Sequence, residues 1–238
     1  MKKIAVIPAR YAASRFPGKL MQPLGNKTVI GQTYMATVAT QLFDEVLVAT
    51  DSDVIREEIE KYNGKVIMTR SDHESGTDRI AEAVMHLDVD VIVNVQGDTP
   101  FVNAGALEKL LTLFNDSSVQ VASLMDVITD KEALNNPNVV KVCVDNKMNS
   151  LFFSRSVIPY PRNPETIITH YRHIGVYGFR KSAIIQFTKW PVTPLEDAEK
   201  IECLRFLEHG IPLRMALTAP MGVDINTPED LETAKKFM

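Results

Sequence analysis

The sequence has few of the features that mark secreted, zinc-binding or membrane proteins. Its two cysteines, Cys143 and Cys203, are far apart and have no CxxC or Cys/His spacing, which argues against a disulfide framework or a zinc site. No apolar run approaches the roughly 20 residues that span a bilayer, and Ile4–Ile7 is too short for a signal-peptide core. We therefore expect a cytoplasmic protein that does not enter the membrane.

An excess of positive charge is also absent. The chain has 26 Lys and Arg against 30 Asp and Glu, a formal net charge of −4, so we expect no nucleic-acid partner and only local phosphate sites. Hydrophobic residues at 45% and charged residues at 24% are typical of a globular protein. A length of 238 residues fits one α/β domain with an appended region.

The first half of the chain alternates between two hydrophobic patterns. Short Val/Ile runs predict strands at Ile4–Ile7, Val46–Ala49, Val66–Met68 and Val91–Val95. Segments with apolar residues three or four apart predict helices at Thr28–Thr40, Asp53–Tyr62, Thr77–Leu87 and Ala104–Phe114. This order predicts an α/β fold with a doubly wound, mainly parallel sheet.

The pattern changes after Val119–Leu124. Strand-like pieces at Val139–Val144, Leu151–Phe153 and His173–Phe179 predict a small antiparallel insertion. One helix is predicted from apolar residues three apart, with Glu199, Glu202, Cys203 and Phe206 on another face; the apolar positions are Leu195, Ala198, Ile201, Leu204 and Leu207. A strand near Leu213–Leu217 and a helix opened by Thr227-Pro228 follow. We expect one domain over residues 1–238, with the antiparallel region around 139–180.

The loop after the first strand is the richest candidate site, because ligands of parallel sheets bind beyond the carboxyl ends of strands. It combines three cations with a hydroxyl and a glycine, a set suited to a polyphosphate: Arg10, Ser14, Arg15, Gly18 and Lys19. It is neither a GxGxxG nor a GxxxxGK[ST] loop. A solvated basic loop is therefore the alternative.

Two aspartates are candidate metal ligands. Asp98 follows Gly97 at the end of a predicted strand and is placed to hold Mg²⁺ against phosphate, since Mg²⁺ takes one or two protein carboxylates. The alternative is a plain turn aspartate. Asp224, ahead of the Thr227-Pro228 helix start, is the candidate second ligand.

Other polar groups leave two interpretations open. The free amides of Ser75-Gly76-Thr77 and the nearby Arg79 suit an anion or a base edge, or Ser75 is an ordinary helix cap. Asp53 is predicted to cap its helix, while Asp51 faces a ligand or merely ends a strand. A set in the second half suits a hydroxylated acid, although each member alone fits a structural role: Arg155, His173, Tyr177, Glu199 and Glu202.

Taken in order, the motifs resemble the CMP-Kdo synthetase family (3-deoxy-manno-octulosonate cytidylyltransferase) from Ile4 almost to the C-terminus. The matching segments include Ile7-Pro8-Ala9-Arg10-Tyr11, Ser14-Arg15-Phe16-Pro17-Gly18-Lys19, Ser75-Gly76-Thr77-Asp78-Arg79, Val93-Asn94-Val95-Gln96-Gly97-Asp98, Phe153-Ser154-Arg155, Arg172-His173-Ile174-Gly175-Val176-Tyr177 and Thr227-Pro228-Glu229-Asp230-Leu231. The resemblance implies a nucleotide-diphospho-sugar transferase fold and a homodimer whose interface includes the antiparallel region. It also implies Mg²⁺-dependent transfer of CMP from CTP to the anomeric C2 hydroxyl of Kdo, an acidic eight-carbon sugar, for lipopolysaccharide synthesis.

The resemblance also implies the role of each matching residue. Catalysis would fall to Arg15, Lys19 and Asp98, and the metal to Asp98 and Asp224. The nucleotide would be bound by Pro8, Ala9, Arg10, Ser14, Arg15, Lys19, Thr69, Ser75, Gly76 and Arg79. The residues facing the sugar would be Gln96, Arg155, His173, Tyr177 and Glu202.

Three departures from the family pattern keep alternatives open. Thr99 stands where the family usually has Glu, and Cys203 stands where it usually has Gln. The family's Gly-Val-Asp-Thr-Pro is stretched here, so that Asn226 precedes Thr-Pro; either Asp224 reaches the metal from two residues earlier or the second ligand is missing. The alternatives are a cytidylyltransferase for another acidic sugar, such as 8-amino-Kdo or a nonulosonate, and a nucleotide-binding protein without turnover.

Overall fold

The computed structural model describes residues 1–11, 16–163, 165–220 and 224–238. Its strands are β1 Lys3–Ala9, β2 Pro23–Leu24, β3 Lys27–Thr28, β4 Glu45–Thr50, β5 Lys65–Met68, β6 Val91–Asn94, β7 Val121–Val127, β8 Lys141–Val144, β9 Ser150–Ser154, β10 Tyr171–Arg180 and β11 Leu213–Leu217. Its α-helices are α1 Val29–Ala39, α2 Asp53–Glu60, α3 Gly76–Val84, α4 Ala104–Thr112, α5 Lys131–Asn135, α6 Lys181–Phe187, α7 Pro194–Glu199, α8 Leu204–Glu208 and α9 Pro228–Lys235. None of these helices is long and apolar enough to cross a membrane.

The chain forms two compact units, and the first comprises residues 1–107 and 221–238. Its main sheet has the order β6-β1-β4-β5, and every neighbouring pair is parallel. The central strand β1 is buried almost throughout, as its Val/Ile composition requires for a strand covered on both faces. The predicted parallel α/β arrangement is confirmed here.

Side-chain caps fix several helix starts in this unit. Thr28 accepts a hydrogen bond from Gly31 N at 3.1 Å, and Ser75 accepts one from Asp78 N at 3.1 Å. The prediction that Asp53 caps its helix is wrong: α2 begins at Asp53, and the carboxylate pairs with Arg56 at 3.0 Å. The sequence predicted that this carboxylate would accept a hydrogen bond from the main chain. It pairs instead with a cation three residues along the helix.

The second unit, residues 108–220, contains the predicted antiparallel strands. Strand β7 pairs parallel with β11 and antiparallel with β10. Strand β8 pairs antiparallel with both β10 and β9. The antiparallel pairing therefore covers the predicted region around 139–180, and β7 and β11 extend the same sheet.

The predicted continuous helix around residues 195–207 is wrong. The chain forms α7 and α8 instead, and they are separated at Lys200, which has the left-handed value φ 52°. Leu195 and Ala198 are exposed, whereas Cys203 and Phe206 are buried. The two helices are joined by the buried Glu196–Arg205 ion pair, with oxygen–nitrogen distances of 2.6 and 2.7 Å.

Strand β10 approaches its neighbours closely at Gly178. A Cβ atom added to Gly178 would lie 2.5 Å from Phe114 Cε2, and Phe114 is itself buried beneath the Arg180 guanidinium, 5.4 Å from the ring centroid. Real Cβ atoms do not approach a ring carbon this closely. The glycine therefore sets how β10, which carries His173 and Tyr177, packs in this unit.

We predict that Gly178→Ala lowers the free energy of unfolding by about 1–3 kcal/mol, the usual range for overpacking a core. Gly175→Ala on the same strand is the matched control, because its added Cβ would meet no atom within 4 Å. Urea denaturation of both variants measures the difference. Equal stability of the two variants would contradict the close packing at Gly178.

Candidate functional site

An ion pair lies at the carboxyl end of β6 in the first unit. The Lys19 ammonium contacts the Asp98 carboxylate and also donates a hydrogen bond to the Ile225 carbonyl at 3.1 Å. The two side chains are only 17% and 20% exposed. Lys19, Asp98 and Ile225 are distant in sequence, so this contact gathers three segments of one unit.

Asp224 joins the same cluster through Thr99. The Thr99 hydroxyl donates a hydrogen bond to Asp224 Oδ1 at 2.8 Å, and Ile225 N donates to the Asp98 carbonyl at 2.9 Å. Asp98 and Asp224, the two predicted metal ligands, are thus brought together. Within the described part of the chain, no group of three or more His, Cys, Asp or Glu residues forms a metal site.

The oxygen donors of this cluster fit a hard cation such as Mg²⁺. Mg²⁺ typically takes one or two carboxylates and completes its octahedron with water and phosphate oxygens, so a third protein carboxylate is unnecessary. Asp224 is exposed, and Asp98 keeps partial exposure. Both carboxylates can therefore be reached by a hydrated ion.

Arg10 follows β1 and is anchored to the main chain. Its guanidinium contacts the carbonyl oxygen of His73, and the His73 ring contacts Glu82. A Cβ at Gly76 would lie 3.4 Å from Pro8 Cγ, which places the start of α3 against the end of β1. The predicted nucleotide residues Pro8, Arg10 and Gly76 therefore lie close to one another.

Arg79 is fully buried within the first unit. It donates to Thr69 Oγ1 at 2.5 Å and lies 3.3 Å from Asp51 Oδ1, so Asp51 holds a cation rather than simply ending its strand. Burial lowers the pKa of the guanidinium, which Asp51 partly offsets. Its Nε and Nη2 atoms have no hydrogen-bond partner among the described residues.

Arg155 in the second unit is held by main-chain carbonyls. Its guanidinium donates to Glu199 O at 2.6 Å, Pro137 O at 2.9 Å and Lys200 O at 3.4 Å. The Glu199 carboxylate in turn accepts from Arg155 N at 2.9 Å. Within the described residues these carbonyls use three of the five guanidinium donors, so Arg155 both ties the loops together and retains donors for an anion.

His173 and Tyr177 form an aromatic pair on β10. Their ring centroids are 5.3 Å apart, and Phe153 packs edge-on against His173 at 4.9 Å. Burial lowers the pKa of His173 to about 4, so the ring is neutral near pH 7. Ser123 Oγ lies 3.1 Å from His173 Nε2, 3.1 Å from Ile174 O and 2.9 Å from Val176 O; when the hydroxyl gives its one proton to a carbonyl, its oxygen can accept a hydrogen bond from a protonated Nε2.

Cys203 lies against Tyr177. Burial, together with the Cys203 thiol and the Glu202 charge, raises the pKa of the Tyr177 hydroxyl well above its usual value. Burial also raises the pKa of the Cys203 thiol, so both groups stay protonated. The predicted members His173 and Tyr177 are thus neighbours, and Glu202 acts on the same phenol.

Not every predicted residue is described in the structure, and the sequence analysis missed some of the groups that orient the site. Ser14 and Arg15 lie outside the described residues, while Gln96 is half-buried after β6. The sequence analysis missed the carbonyls of Ile225 and His73, which no side-chain pattern reveals. It also missed Ser123, whose small polar side chain in a run of apolar strand residues was an available signal.

Comparison with known proteins identifies the family to which the chain belongs. Residues 4–218 match the profile of the cytidylyltransferase family. Proteins called 3-deoxy-manno-octulosonate cytidylyltransferase share 54% identity in Flavobacterium johnsoniae, covering 100% of this chain and 99% of the relative, and 50% in Christiangramia forsetii, covering 99% and 96%. The solved structure of a CMP:2-keto-3-deoxy-manno-octonic acid synthetase with CTP superposes with a TM-score of 0.96 at 38% identity, covering 100% and 98%.

The structural match confirms the predicted fold over the full chain. The sequence relatives exceed 30% identity over nearly their whole length. The chain therefore belongs to the cytidylyltransferase family, in its 3-deoxy-manno-octulosonate cytidylyltransferase branch.

Proposed function

We propose that this protein transfers the CMP group of CTP to the anomeric C2 hydroxyl of 3-deoxy-manno-octulosonate. The observation that carries the proposal is the 54% identity, over the whole chain, to a relative named for this reaction. The TM-score of 0.96 to a synthetase structure with CTP supports the same activity. Relatives from several bacterial groups share the name, which favours this sugar over 8-amino-Kdo or a nonulosonate.

The reaction needs alignment and charge stabilisation more than covalent help from the protein. The C2 oxygen bonds to the α-phosphorus of CTP, the bond from that phosphorus to the β-phosphate oxygen breaks, and pyrophosphate leaves. The transition state gathers negative charge on phosphate oxygens, which fixed cations stabilise. In the proposed site, Lys19 and Arg15 would supply those cations near the leaving group.

Lys19 would exchange partners when CTP binds. Its ammonium now neutralises Asp98; if Asp98 held a divalent cation, the Lys19 ammonium would be available to pair with the phosphates. When bound, Mg²⁺ would neutralise phosphate charge and favour ionisation of the attacking hydroxyl. The carboxylates of Asp98 and Asp224 are the proposed holders of that ion.

The nucleotide and sugar roles divide between two sets of residues. Arg10, Ser14, Thr69, Ser75 and Arg79, with the main chain of Pro8, Ala9 and Gly76, would bind the nucleotide. Gln96, Arg155, His173, Tyr177 and Glu202 would face the sugar, with Arg155 on its carboxylate. We also propose a cytoplasmic homodimer; the edge strand β9, on which Leu151 is 62% exposed, supports an interface there.

The acceptor assay tests the function directly. We expect pyrophosphate release from CTP and Mg²⁺ with Kdo, at a kcat/KM higher than with 8-amino-Kdo or N-acetylneuraminate. A higher kcat/KM for either of the other acceptors would reassign the substrate. No release with any acceptor would support a nucleotide-binding protein without turnover.

We predict that Asp98→Asn lowers kcat by about 10²–10³-fold, the range seen when one electrostatic contact to a transition state is removed. The amide keeps the shape of the carboxylate but loses its charge. Asp88→Asn, at an exposed position, is the control and should keep the parent kcat. A folded Asp98→Asn protein with the parent kcat would remove Asp98 from the mechanism.

We predict that Arg155→Ala raises the KM for Kdo by about 10-fold or more, since a hydrogen bond between charged groups contributes about 1.5–3 kcal/mol. The KM for CTP should change by less than about twofold. Arg155→Lys keeps the charge but loses the guanidinium fork, and should give an intermediate KM for Kdo. Equal increases of both KM values would instead indicate that Arg155 acts only by tying loops together.

A further inference from the structure

Thr99 makes a side-chain contact that the proposed chemistry has not used. It follows Asp98 directly, and only 5% of the residue is exposed. Its hydroxyl lies 2.8 Å from Asp224 Oδ1. An ionised carboxylate only accepts hydrogen bonds, so the hydroxyl is the donor. The bond is between a buried neutral group and an exposed charge, and charge-assisted bonds of this kind are stronger than neutral ones.

Main-chain bonds already fix the two segments that carry Asp98 and Asp224. Ile225 N donates to the Asp98 carbonyl at 2.9 Å, and the Lys19 ammonium donates to the Ile225 carbonyl at 3.1 Å. The Thr99 N–H is itself held by the Gln96 carbonyl at 3.1 Å. The path of the backbone is thus set by other groups, and the Thr99 hydroxyl acts on the orientation of the Asp224 side chain.

Threonine also limits the negative charge of this cluster. Asp98, which pairs with Lys19, and Asp224, which accepts from Thr99, already bring two carboxylates into this cluster. A carboxylate side chain at position 99 would face Asp224 without a proton to donate and would repel it until a cation arrived. A hydroxyl attracts Asp224 before any cation binds.

We propose that Thr99 is a positioning residue that holds one oxygen of Asp224 and so directs the other oxygen toward the divalent cation. This inference rests on the proposed function, because that function requires a cation beside Asp98. The hydroxyl prepares the second carboxylate in advance, which reduces the freedom that the side chain loses when the ion binds.

The test measures cation binding without the acceptor sugar. Mn²⁺ is the probe, and its dissociation constant for the protein–CTP complex is followed by electron paramagnetic resonance. Thr99→Val removes the hydroxyl and keeps the shape, so we expect the dissociation constant to rise about tenfold, the effect of one hydrogen bond to a charged group. Thr99→Ser restores the hydroxyl and should return the constant to within about twofold of the parent.

A second comparison separates positioning from a general effect on folding. If Thr99 acts through Asp224, Thr99→Val has no further effect on Mn²⁺ binding in an Asp224→Ala background. An additive effect there, or an unchanged Mn²⁺ constant in Thr99→Val with a lower free energy of unfolding, would overturn the proposal. Because no sugar is present, a failed Kdo assay would contradict the proposed function while these binding results stayed interpretable.

Discussion

The contact between Lys19 and Asp98 is the interaction on which the first unit's site depends. Opposite charges that are mostly removed from water must be paired, because an isolated buried charge is strongly unfavourable. Lys19 meets this requirement for Asp98 and also donates to the Ile225 carbonyl, which draws the start of the C-terminal segment to the end of β6. In the protein alone, the Lys19 ammonium thus neutralises the Asp98 carboxylate. In the proposed reaction a divalent cation would do so.

In the second unit, one buried and one half-buried cation hold irregular segments of the main chain. Lys141 is completely buried, and its ammonium donates to the carbonyls of Asn136, Val139 and Arg155 at 3.1, 2.7 and 2.5 Å. Burial lowers the pKa of Lys141, and the neighbouring Glu199 partly offsets this. Arg155 then donates to three further carbonyls. The two cations therefore donate hydrogen bonds to main-chain carbonyls that lack partners in a strand or helix.

Much of this could be predicted from sequence, and the failures have physical causes. Periodicity located every strand of the first unit's parallel sheet: β1, β4 and β6 are largely buried and read as apolar runs, and the edge strand β5 keeps the same Val/Ile pattern although it is more exposed. It failed at residues 195–207, where apolar residues three apart also occur on exposed positions such as Leu195, and where a left-handed residue breaks the helix at Lys200. The motifs located Lys19, Asp98 and Asp224, but the carbonyls that orient Lys19 and Arg10 carry no sequence signal.

The protonation states of the second unit bear on how an acidic sugar would be distinguished from a neutral one. His173, Tyr177 and Cys203 form one neighbourhood and are all neutral near pH 7, because burial lowers the pKa of His173 and raises the pKa values of the phenol and the thiol, which already lie above 7. Neutral donors and acceptors suit hydroxyl groups, which carry no charge for an ionised side chain to match. In the proposed complex, Arg155 would therefore bind the sugar carboxylate. The neutral side chains would form hydrogen bonds with the sugar hydroxyls. The thiol at Cys203 fits this division, since in its protonated form it adds little polarity beside the Tyr177 phenol.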